Sequence, residues 1–175
     1  MARRSAFRRY NSAMLLEERD SLGWVLKALR ETSGQIGREF YGMDESDLTK
    51  RPTEDDLSLK EIAAHLRDAE ELAVKQFNAF TERRRRLPAW DVDVLPFERD
   101  YRSCDLEQVL SELRMLRRES THLLWSVSND DWSHEVDHPY RGPVTLELTA
   151  RELAQHDLEH LWEMRRLKAD LGFAK

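Results

Sequence analysis

Two histidines four residues apart, His156 and His160, lie in the stretch RELAQHDLEHLWEMRRL over 151–167. On a helix that spacing puts both imidazoles on one face, one turn apart. At ~100° per residue they fall in the same apolar stripe as Thr149, Leu153, Met164, Leu167 and Leu171. An imidazole aimed into a core is costly unless it is hydrogen-bonded or bound to a metal. His65, at the edge of the inward stripe of an earlier helix, is a third of the same kind. Such a trio can satisfy itself by hydrogen bonding, or it can hold a divalent ion with one or more positions open to water or substrate. All-nitrogen ligation suits zinc, nickel, iron, manganese, copper or cobalt without choosing among them. At such an ion water becomes more acidic and an arriving thiol loses its proton.

The remaining histidines carry weaker signals. His134 and His138 repeat the spacing, but Pro139 follows directly and no apolar stripe frames them, so they read as loop residues; His122 falls on an outer helix face. The acids nearest the trio, Glu61, Asp68, Glu152, Asp157 and Glu159, lie mostly off the inward stripes. They read as surface charges by default, and at best as outer partners of the ligands.

Four amphipathic stretches must position these residues. The first runs from about Asn11 to Tyr41, with Leu15, Leu22, Leu26, Leu29, Ile36 and Phe40 on one face and Gly42 as its expected C-cap. The second starts at a capping box, Ser58 to Glu61, and continues to about Arg83 with Leu59, Ile62, Leu66, Ala69, Ala73, Phe77 and Phe80 inward. The third runs from Asp105 to Val127, with Asp105 and Gln108 as a variant capping box. The fourth is capped by Thr145 and continues to about Leu171. Its outer side carries Leu158, Leu161 and Trp162, a second apolar face that suggests self-association or packing of the N-terminal arm. Between the second and third helices, Leu87 to Ser103 holds Pro88, Trp90, Pro96, Phe97 and Tyr101. That connection is long enough to run the length of a bundle, so the helices it joins can be parallel. Trp90 and Tyr101 are candidates for a pocket wall. Arg117 and Ser120 fall on the inward face of the third helix; either they face a cavity or the helix is rotated enough to wet them. Ser128 to Val144 reads as a polar loop.

Composition narrows the class. The 175 residues make one domain, 11–175, behind a basic arm, 1–10. Only six glycines and five prolines, with 35% charged residues, suit long solvated helices better than a sheet. A net charge of −6 argues against general nucleic-acid binding. The arginine run Arg83–Arg86 could form an anion or nucleic-acid patch, but with no aromatics interleaved and an acidic chain it reads as a solvated run that complements the negative end of a helix dipole. A lone cysteine, Cys104, fits a reducing, cytoplasmic setting and reads as a loop residue. No apolar run approaches the ~20 residues of a membrane span.

With these motifs in place, the sequence resembles the DinB/YfiT-like superfamily of four-helix bundles. The resemblance lies in LSLKEIAAHLRDAE over 57–70, in Gly142-Pro-Val-Thr-Leu-Glu-Leu leading to His156-Asp-Leu-Glu-His160, and in the turns MDESDL over 43–48 and NDDW over 129–132; together these span most of 11–171. It implies an all-α up-down-down-up bundle with a long crossover between the second and third helices, commonly as a homodimer. It also implies a three-histidine divalent metal site at His65, His156 and His160. The implied chemistry is transfer of a low-molecular-weight thiol or metal-dependent hydrolysis, acting on a small-molecule substrate; the alternative is a non-catalytic metal-binding or stress-related interaction protein. Leu57 stands where the family often has tryptophan, and the N-terminal arm is outside its pattern; neither touches the ligands.

Overall fold

The computed structural model describes residues 22–54, 56–92 and 94–173. The basic arm and the start of the first helix lie outside them. Helix α1 covers 22–38, followed by a short α2 (Glu45–Leu48). Next come α3 (Leu59–Thr81), a crossover containing α4 (Leu95–Glu98) and the 3-10 turn Tyr101–Ser103, and α5 (Leu106–Ser126). A short α6 (Asn129–Trp132), a hairpin of β1 (Glu135–His138) and β2 (Gly142–Thr145), and α7 (Leu146–Asp170) complete the chain.

The helix starts follow from their caps. Ser58 accepts from the Glu61 backbone N–H while Glu61 accepts from the Ser58 N–H, so both orphan donors are satisfied. Asp105 accepts from the backbones of Glu107 and Gln108, but the Gln108 side chain turns to Glu112 instead of back to the cap. Thr145 accepts from Leu148. Helix α3 ends two residues before the expected Arg83, because Arg84 N–H bonds Ala79 C=O and Arg83 N–H bonds Phe80 C=O with Arg83 at φ 54. Helix α1 also ends early, at residue 38; Gly42, at φ +74, serves the turn beyond it instead of the helix cap.

Ion pairs and shared clusters fix the topology. Arg67 pairs with Glu112 and Glu70 with Arg117, so α3 and α5 run parallel. Thr32 meets Asp157 and Glu39 meets Arg165 and Lys168, so α1 and α7 are parallel too. Leu59 and Ile62 share a cluster with Leu161, Met164 and Leu167, whereas Phe77 and Phe80 share one with Leu146 and Ala150; α3 and α7 are antiparallel. The result is the up-down-down-up four-helix bundle with its crossover between the second and third long helices.

The core is not continuous. One apolar cluster, around Val25, Leu29, Phe77, Phe80 and Leu124, fills one end, and another, around Ile36, Leu59, Ile62, Leu113 and Met164, fills the other. Between them lies a buried polar belt with a residue from each long helix: Thr32, Glu70, Arg117 with Ser120, and Asp157.

The polar loop expected over 128–144 contains structure. Val136 and Val144 pair across β1 and β2 and are both buried, joining Trp132 and Leu87 in the first cluster. Four-residue strands are too short to announce an alternation, and Pro139 and Pro143 look like loop signals; the two valines about a turn ending in Gly142 (φ +76) were the available cue. The arginine run passes beside β1, with Asp137 N–H donating to Arg85 C=O and Leu87 N–H donating to Asp137 C=O.

The crossover is fastened to α3 by a buried acid. Asp68 accepts from the Tyr101 hydroxyl at 2.5 Å and from Arg99 at 2.7 Å, with Arg67 Nε at 2.6 Å. Burial, then the bond to Asp68, pushes the Tyr101 hydroxyl well above its ordinary pKa, which keeps it a donor. Tyr101→Phe leaves Asp68 with two cationic partners, so the expected loss is about 1–2 kcal/mol, toward the low end for a hydrogen bond to a charged group. Urea unfolding measures it, and an unchanged midpoint would show that the fastening carries no stability.

Candidate metal centre

His65 lies two turns into α3, and His156 and His160 lie in the third and fourth turns of α7. Because the two helices are antiparallel, those levels coincide. Ring centroids are 5.0 Å apart for His65–His156, 4.7 Å for His65–His160 and 4.5 Å for His156–His160. One ring nitrogen from each lies within 4.8 Å of the others. Two nitrogens each about 2.0–2.1 Å from one ion stand at most about 4.2 Å apart, so small side-chain adjustments would bring the three onto one point. His65 Nε2 and His156 Nε2 are 3.0 Å apart, a hydrogen bond in which one ring donates and the other accepts.

Burial favours the neutral form of His156, the form that binds metal. His65 is buried, and the α7 pair are half-buried. Burial above all, then His160, His65 and Arg117, drive the pKa of His156 down to about 3. The Nδ1 of His160 lies 2.7 Å from Glu163 Oε2, which leaves its Nε2 for the shared point.

The expected pocket residues are placed as follows. Tyr101 is buried with its hydroxyl committed to Asp68, and Trp90 is half-buried with the Lys75 ammonium 4.6 Å from its ring centre. Arg117 and Ser120 are inward, as their positions on the helix suggested, but their polar groups face other protein groups. Arg117 bonds Glu70, the Leu29 carbonyl at 2.9 Å and Asp157 at 2.6 Å, and Ser120 donates to Glu70. A buried guanidinium has to be paired, and these carboxylates pair it. Burial raises the pKa of Glu70 against the opposing pull of Arg117.

Three of the five acids read as surface charges are in fact buried. Glu61 is held by Arg51 and the α3 cap, Asp68 by the crossover, and Asp157 by Arg117. Glu152 and Glu159 are exposed. Glu163, the partner of His160, went unnoticed; its signal was an acid three residues after a ligand candidate. Cys104 is half-buried, and burial pushes its thiol pKa up, the opposite of an activated nucleophile. In the arginine run Arg83 pairs with Asp131, Arg84 with Glu82 and Arg86 with Asp137.

The order and topology of the helices agree with what comparison with known proteins finds. Residues 20–164 match the family model described as the DinB superfamily. The chain belongs to the DinB superfamily. The uncharacterized protein YuaE of Bacillus subtilis is 24% identical over 165 residues, covering 82% of this chain and 96% of its own. Among solved structures, YfiT from Bacillus subtilis, described as a probable metal-dependent hydrolase with an unusual four-helix bundle topology, superposes with a TM-score of 0.79 at 17% identity, over 87% of this chain and 89% of that one. A mycothiol-dependent maleylpyruvate isomerase gives 0.68 at 13% identity, over 82% and 60%. The colibactin self-resistance protein ClbS, solved in complex with double-stranded DNA, gives 0.64 at 13% identity, over 85% and 95%. That complex is at odds with the expectation, drawn from net charge, that nucleic acid has no place among the partners. No helix among the described residues is long and apolar enough to cross a membrane.

Proposed function

We propose that this DinB-superfamily protein is a metal-dependent enzyme whose divalent ion is held by His65, His156 and His160. The observation that carries the reading is the convergence of three imidazoles from two antiparallel helices, one ring nitrogen of each within 4.8 Å of the others. The donor set fits the ion: His156 is kept neutral, and His160 has its Nδ1 engaged by Glu163. Three protein ligands suit a catalytic site, since structural zinc sites are generally closed by four. Bound there, a divalent ion supplies Lewis acidity that makes a low-molecular-weight thiol or a water a nucleophile near neutral pH. The relatives described as metal-dependent and as mycothiol-dependent support this pair of chemistries.

The chain's own contribution is positional. Asp68, one turn beyond His65 on α3, holds Tyr101 and Arg99 and so keeps the crossover down beside the site. Trp90 and Tyr101 then serve as walls through their rings, and Arg117 and Ser120 as the rigid backing behind His156. The substrate in this reading is a small molecule, the setting cytoplasmic and the assembly a homodimer.

Elemental analysis of the purified protein is expected to find about one divalent ion per chain. A screen pairing low-molecular-weight thiols with electrophiles, run beside a panel of hydrolysable esters and amides, is expected to find turnover that a chelator removes. Protein that carries no stoichiometric metal and takes none up on reconstitution would defeat the reading. Metal without turnover would leave a metal-binding protein that is not an enzyme.

A further inference from the structure

The two histidines of the H-x3-H pair are supported differently. Helical side chains lean toward the N-terminus of their helix, so a residue at i+3 reaches back over residue i. Glu163 does this to His160, with its Oε2 2.7 Å from Nδ1. The acid in the corresponding place after His156 is Glu159, which is exposed and accepts instead from Gln155 at 2.8 Å. His156 Nδ1 is buried and makes no hydrogen bond to a described residue. Its Nε2 is tied to His65, and that bond has to open before both nitrogens can face an ion.

We propose that Glu163 is a positioning residue for the centre, fixing His160 in the tautomer that presents Nε2 and making it the preset member of the trio. The proposal rests on the metal reading above. A carboxylate oxygen only accepts, so the hydrogen of a neutral His160 sits on Nδ1 and the lone pair on Nε2. The negative partner also makes the imidazole a stronger donor to a cation, as carboxylate–histidine pairs do around zinc. His160 therefore meets an arriving ion already in the right tautomer and orientation, whereas His156 must first give up its bond to His65. Glu163 lies one turn beyond a candidate ligand, on the same helix, with its side chain 34% exposed, so replacing it disturbs little of the core.

The test compares the full-length protein with Glu163→Gln and Glu163→Ala. Ring-nitrogen NMR of the metal-free proteins reads the His160 tautomer, and competition with a chromophoric chelator reads Zn2+ affinity. At a pH high enough to keep the imidazoles neutral, wild type is expected to show the Nδ1–H form alone. Glu163→Ala is expected to show a mixture and to bind Zn2+ about 10–100-fold more weakly, the usual cost of losing such a partner. In Glu163→Gln the amide oxygen still accepts, so the tautomer is expected to survive and the loss in affinity to be smaller. An unchanged tautomer in Glu163→Ala, or Zn2+ affinity within about threefold of wild type, would overturn the proposal. Wild type that binds no Zn2+ would defeat the metal reading instead, and the tautomer spectra would still judge the hold of Glu163 on His160.

Discussion

His156→Ala is expected to abolish stoichiometric divalent metal binding while leaving helicity intact. With a candidate ligand gone from a trio, affinity should fall by more than the ~100-fold that an outer partner is worth at most. Zn2+ present at about 100 times its dissociation constant stabilises a protein by about 2.7 kcal/mol, and this increment should appear for wild type and vanish for the variant. Far-UV circular dichroism and elemental analysis check the two halves. The metal-free proteins should also differ in their response to acid. An unfolded histidine takes up its proton near pH 6.5, but folded His156 is held down to about 3, chiefly by burial. Between those values the unfolded chain binds a proton that the native state refuses. The contribution of His156 to stability is therefore complete above about pH 6.5 and is lost as pH falls toward 3, at up to about 1.4 kcal/mol per pH unit. Urea midpoints at pH 7 and pH 5 should fall less steeply for His156→Ala than for wild type. Parallel lines would mean that His156 titrates alike in both states.

Arg117→Met is expected to be the most destabilising single change in the bundle. Glu70 and Asp157 are fully buried, and Arg117 is the cation bonded to both. Removing one member of a buried ion network costs about 3–5 kcal/mol, because what remains is uncompensated charge. For a chain of this size that lowers the melting temperature by roughly 6–20 °C. Replacing the set together, Glu70→Met with Arg117→Met and Asp157→Leu, should recover most of the loss, since an apolar set of similar volume needs no desolvated charge. Calorimetry of the single and triple variants decides it. If Arg117→Met melts within about 2 °C of wild type, the network is not holding buried charge.

Much of this was legible in the residues. Ser58 with Glu61, Asp105 and Thr145 announced three helix starts to within a residue, because capping is chemistry between near neighbours. The trio was legible for a related reason: two of its members are one turn apart and the third is inward on a capped helix. What was missed depends on distant partners. Nothing near Asp157 in the chain says that Arg117 will face it, or that Asp68 will meet Tyr101, so buried acids looked like solvated ones. The helical period places Arg117 and Ser120 on the inward stripe without deciding between a cavity and a wetted face; that they are buried against Glu70 is decided by a residue on another helix. The hairpin was missed because four residues cannot display a period.

The belt of Thr32, Glu70, Arg117, Ser120 and Asp157 has a consequence for how the helices find their alignment. Apolar stripes repeat, so leucine-rich helices can slide along one another by two turns and still bury similar surface. A slide of that size in α7 would carry Asp157 away from Arg117 and into the leucines of either end. A charged rung at mid-height thus penalises every slipped alignment far more than the correct one, as single polar residues do in coiled coils. His65 and the pair on α7 inherit that vernier: their facing levels are set by the rung beside them.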